Sequence, residues 1–184
     1  MKSEETLESG INQAAEDLFT FAVDRDDVKT LLTALPENAD SDPGKVEYEL
    51  AILRIITAGW SISYFLAHSA LRHQLAELYW EAIREFSQNI SVSAGLLAGK
   101  DIDYFQVLKD RLSGYVKAME QKHDAREPAA VIGPEFARLC GNGDDTHLIL
   151  AGTRMFIAVM ASVKAYLNAL KAPAVPGENN TNAH

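Results

Sequence analysis

Residues 46–71 read VEYELAILRIITAGWSISYFLAHSAL, and the run Leu50–Ala67 within them holds a single formal charge, Arg54. A run this apolar is either a membrane span or the central helix of a soluble bundle. Its polar residues choose between the two. At 100° per residue, Arg54, Thr57, Ser61, Tyr64 and His68 share about 80° of an otherwise apolar helix surface. Lipid gives no reason to keep such a stripe, and the flanking Glu47 and Glu49 are acidic where an inserted helix favours basic neighbours. Trp60 and Tyr64 also stand in the middle of the run, away from its ends. The stretch therefore predicts a buried helix with one polar edge, and no membrane span.

Outward from this helix the pattern stays helical. Leu7, Ile11, Ala14, Leu18, Phe21, Val28, Leu32 and Leu35 recur at spacings of three and four, broken at Arg25. Asp24 is placed to start a second segment there. The loop at 36–44, PENADSDPG, ends in Asp42 as N-cap and Pro43 as first helical residue. Nothing in the composition stops the central helix, and a break is expected near His68–Ser69, because longer helices are rare in compact domains.

Beyond it, Leu71, Leu75, Leu78, Tyr79, Ala82, Ile83, Phe86 and Ile90 oppose His73, Glu77, Glu81, Arg84 and Gln88. Asp101 is read as the cap of a helix burying Ile102, Phe105, Leu108, Leu112, Tyr115, Val116 and Met119. Pro128 and Gly133-Pro134 read as a loop, and Glu135–Cys140 as one short helix stopped by Gly141. Asp144 or Asp145 opens a last, largely apolar helix to Lys171. The expectation is a single-domain all-α bundle of five to six helices over 1–172, with a disordered tail over 173–184.

Charge narrows the function classes. The first 49 residues hold 13 of the 26 acidic groups and 4 of the 17 basic ones, so the net charge of −9 falls on that quarter. A chain without a clustered basic surface is not expected to bind nucleic acid or an anionic membrane. Cys140 is the only cysteine, so no internal disulfide and no CxxC motif exists. Met1–Gly10 is polar and acidic, unlike a signal peptide. The expected setting is cytoplasmic.

No catalytic motif and no cofactor fingerprint appears. Glu120-Gln-Lys-His123 has the Glu-x-x-His spacing of bundle metal sites, but a di-metal centre needs it twice. His73 and Glu77 are spaced for chelation, yet lie on the most polar face of their helix. The constellation that remains is the stripe Arg54, Thr57, Ser61, Tyr64, His68. It has two readings: the lining of a cavity for a polar or anionic ligand, or a polar edge satisfied by neighbouring helices. A buried Arg54 requires a carboxylate partner that the sequence does not name. The leading functional expectation is a non-catalytic helical interaction or regulatory module acting through protein contacts; the alternative is a small-molecule-binding domain, a sensor or an enzyme of unfamiliar type, whose polar stripe lines a helical cavity. Self-association into a homodimer is expected through Ile149, Phe156, Val159, Met160 and Val163 of the last helix.

Overall fold

A computed structural model describes residues 2–36, 41–98, 102–122 and 127–171. The helices are α1 (Lys2–Val23), α2 (Asp26–Thr33), α3 (Pro43–Phe65), α4 (Arg72–Ala98), α5 (Tyr104–Gln121), α6 (Ala129–Cys140) and α7 (Thr146–Lys171). Six of these have 12 to 27 residues and α2 has eight. The fold is all-α, as the periodicity implies, and no strand occurs among the described residues.

The apolar run forms the axis of the bundle. Helix α3 touches each of the other six, and its residues Leu50, Ile52, Leu53, Ile55, Ile56, Ala58 and Ile62 are buried. It starts where the loop chemistry directs: Asp42 Oδ1 accepts the Gly44 N–H at 3.0 Å, and Pro43 takes the first turn. It ends at Phe65, and after a turn through Ser69, whose Oγ accepts the Leu71 N–H at 3.2 Å, α4 begins at Arg72. The break thus falls where helix length alone places it. At the other end Asp24 Oδ1 accepts the Asp26 N–H at 2.7 Å, which separates α1 from α2.

Three local expectations are corrected. Helix α6 begins at Ala129, so Gly133-Pro134 lies inside it. A proline there forgoes one bond of the ladder, and packing against α7 holds the segment regardless. A Cβ on Gly133 would strike the Thr153 side chain and come within 2.7 Å of the Ile149 carbonyl. Helix α5 is capped by Asp103, whose Oδ1 accepts the Gln106 N–H at 2.9 Å; Asp101 lies outside the described residues. With that start Tyr104, Leu108 and Tyr115 turn inward and Val116 is exposed.

The third correction concerns α7, which Asp145 opens by accepting the N–H groups of His147 and Leu148 at 2.8 and 3.2 Å. Its expected dimer seam is core. Phe156, Val159 and Val163 are buried, and Ile149 and Met160 pack partly buried against them. The widest side chains of α7 are drawn onto α3 and α6, because that is where most apolar area leaves water. Gly152 lets the helices close: a Cβ there would sit 2.7 Å from the Phe136 ring. The expected tail at 173–184 and His123 lie outside the described residues.

Candidate functional site

The polar stripe of α3 divides into an inner and an outer half. Arg54, Thr57 and Ser61 are buried at 2%, 1% and 0% exposure, whereas Tyr64 is 62% exposed and His68 is exposed. Two of the inner residues meet a polar or sulfur atom of a neighbouring helix. The Arg54 guanidinium pairs with the Asp27 carboxylate of α2, donates from Nε to the Phe21 carbonyl at 2.9 Å, and lies 4.3 Å from the Phe21 ring centroid. The partner that the sequence could not name is Asp27. Ser61 Oγ donates to the Thr57 carbonyl at 2.6 Å and lies 2.9 Å from the Met160 sulfur of α7. Thr57 Oγ1 is buried without a hydrogen-bond partner. Among the described residues all three are buried, and Arg54 and Ser61 meet side chains of α2 and α7.

A second ion pair, also with one buried partner, carries no signal in the helical spacing. Glu49, 1% exposed, holds the Arg111 guanidinium of α5 through three contacts of 2.6 to 3.2 Å. Hydrogen bonding to Glu49 raises the Arg111 pKa further above its ordinary value. Tyr115 is buried beside the pair with its hydroxyl unpartnered, and burial pushes its pKa well up. Burial, with Glu49 adding to it, pushes the Cys140 thiol up to about 12. A thiol in that state is a packing residue, since the nucleophile is the thiolate. The one available signal was Glu49 itself, an acid within an apolar helix, which must find a cation.

The outer half of the stripe borders a cavity. Tyr64 and His68 line it with Trp60, Phe65, Ser69 and Arg72, in the corner between the end of α3 and the start of α4. Its volume is about 810 Å³ and it opens to solvent. His73 and Glu77 are both exposed on the outside of α4. Among the described residues no three His, Cys, Asp or Glu side chains are grouped to hold a metal.

The remaining distinctive surface is the back of α7. Leu150 and Ile157 are 44% and 52% exposed, Ala161 and Ala165 follow them at helical spacing, and Arg154, Lys164 and Asn168 are exposed on the same face. Among the described residues, Thr146–Leu170 is the one helical segment long and apolar enough to cross a membrane, yet only 39% of its most apolar stretch is buried. Helix α7 carries no acidic residue; its cations are Arg154, Lys164 and Lys171. Comparison of the chain with family models, with functionally characterised proteins and with solved structures finds no match.

Proposed function

We propose that this chain is a non-catalytic helical interaction module that pairs with a second copy of itself through the outward face of α7. The observation that carries this reading is the exposure of Leu150 and Ile157 on the outward face of α7, an apolar helix only partly buried among the described residues. Exposed apolar side chains rimmed by polar ones mark an interaction surface, and here Arg154, Lys164 and Asn168 share the face with Leu150 and Ile157. Leu150 and Ile157 supply anchors, and Ala161 and Ala165 beyond them let two backbones approach closely. A two-fold axis satisfies one such face with another and leaves none open.

The interior supports a structural role for the buried charges. Arg54 and Glu49 are each engaged by one carboxylate or guanidinium from another helix. Such groups fix which helices meet, and they are not free to act on a substrate. In a reducing cytoplasm the buried Cys140 would stay a thiol.

Sedimentation equilibrium at micromolar concentration tests the reading. A dimer is expected, at twice the 20.2 kDa chain mass. A single species of 20.2 kDa would contradict it.

A further inference from the structure

The cavity between the α3 end and the α4 start has a specific chemistry. Three aromatic side chains, Trp60, Tyr64 and Phe65, form its apolar wall. Tyr64 and Phe65 meet edge to face at 5.2 Å, and Trp60 rests on Phe156 of the core at 5.6 Å, so the wall is anchored to the bundle. The ionisable groups on its lining that can carry positive charge are Arg72 and His68, and no acid lines it. Lys164 adds a further cation behind the wall, 5.7 Å from the Phe65 ring centroid. Arg72 also opens α4, whose N-terminal end carries partial positive charge. In a chain of net charge −9 this concentration of cations is local. The volume of about 810 Å³ lies within the roughly 300–1,000 Å³ of small-molecule sites.

We infer that this cavity binds a small organic anion with a flat apolar body. The ring stacks on Trp60 and Tyr64, and the carboxylate, sulfonate or phosphate is held by Arg72, with His68 at the rim. Arg suits this task because its planar fork meets two anionic oxygens at once. Tyr64, 62% exposed, offers its ring to the ligand.

Isothermal titration with naphthalene-1-sulfonate, and with neutral 1-naphthalenemethanol as control, tests the inference on the full chain. Saturable one-to-one binding of the sulfonate is expected, weakened about tenfold by Arg72→Gln. Tyr64→Ala, at an exposed position, should weaken both probes. Leu150→Glu, fourteen residues before Lys164 on α7, should leave the titration unchanged, so failure of the dimer reading would not disturb this result. Equal affinity for the charged and neutral probes, or an unaltered sulfonate affinity in folded Arg72→Gln, would overturn the inference. Absence of saturable sulfonate binding at millimolar concentration would do the same.

Discussion

Arg54, with 3% of its side chain exposed, is ion-paired to Asp27, whose side chain is 60% exposed. The pair runs from the middle of the central helix to the rim of the shortest one. It gives the eight residues of α2 a fixed address on the bundle, since a helix of that length has little stability alone.

Removing the exposed partner should therefore be felt in the core. Asp27→Asn keeps a side-chain carbonyl that can accept from Arg54 but removes the negative charge that balances the buried guanidinium. The solvent exposure of Asp27 screens the pair, so the expected loss is about 1–3 kcal/mol and not the larger figure for a fully buried bridge. The urea midpoint reports it. Adding Arg54→Met should restore part of the loss by removing the stranded charge. An unchanged midpoint in Asp27→Asn would show that the pair contributes nothing.

The two glycines Gly152 and Gly10 should respond with opposite signs. Ala at 152 drives a Cβ to 2.7 Å from the Phe136 ring at the α6–α7 crossing, which should cost about 1–3 kcal/mol. Ala at 10 meets nothing within 4 Å, and on the exposed side of α1 it should stabilise by about 0.5–1 kcal/mol. Thermal unfolding of the two variants checks the order, and a stabilised Gly152→Ala would deny the close approach of α6 and α7.

Cys140 should resist modification while the bundle is folded. Its thiol, pushed up to about 12 chiefly by burial, holds its proton at pH 8 and reacts with a disulfide reagent only on opening. Folding favours the protonated form, so this contribution to stability is intact below the ordinary thiol pKa and fades as pH rises from 9 toward 12. Full labelling at the rate of an unfolded control would contradict the placement.

The contact between α1 and α7 sets a second pH response. The Tyr166 hydroxyl donates to Asp17 Oδ2 at 2.6 Å, and this bond, with that from Gln13, lowers the Asp17 pKa below 3.8. A lowered carboxyl contributes its stability above the ordinary value and loses it as pH falls below 3.8. Tyr166 is raised, by burial first and by Asp17 second. Its share is present below pH 10 and lost above it. Tyr166→Phe should shrink the change in unfolding midpoint at both ends, and an unaltered profile would rule the contact out.

How far the sequence carries the fold is visible residue by residue. The run 46–71, Asp42-Pro43 and Asp145 announce helix bodies and caps through local chemistry, and these signals fall where they point. Gly133-Pro134 misleads because contact with α7, distant in sequence, outweighs the local preference of the pair. The identity of Asp27 as partner to Arg54, and of Arg111 to Glu49, depends on which helices cross, which periodicity on one helix cannot encode. The stripe was legible as a stripe; that its inner half meets helices and its outer half meets solvent follows from where α2 and α7 end up. The α7 arc shows the same limit. Its apolar width was evident, but which part packs inward is decided by Gly152 and Phe136 together.

The neighbours Phe156 and Ile157 give the most direct test of the self-association account, because one faces the core and the other faces away. Sedimentation velocity and circular dichroism should be measured on Phe156→Glu, Ile157→Glu and the unmutated chain at one micromolar-range concentration. The account predicts that the unmutated chain is a dimer, that Ile157→Glu is a fully helical monomer, and that Phe156→Glu loses cooperative folding. A folded Ile157→Glu that sediments like the unmutated chain would contradict it.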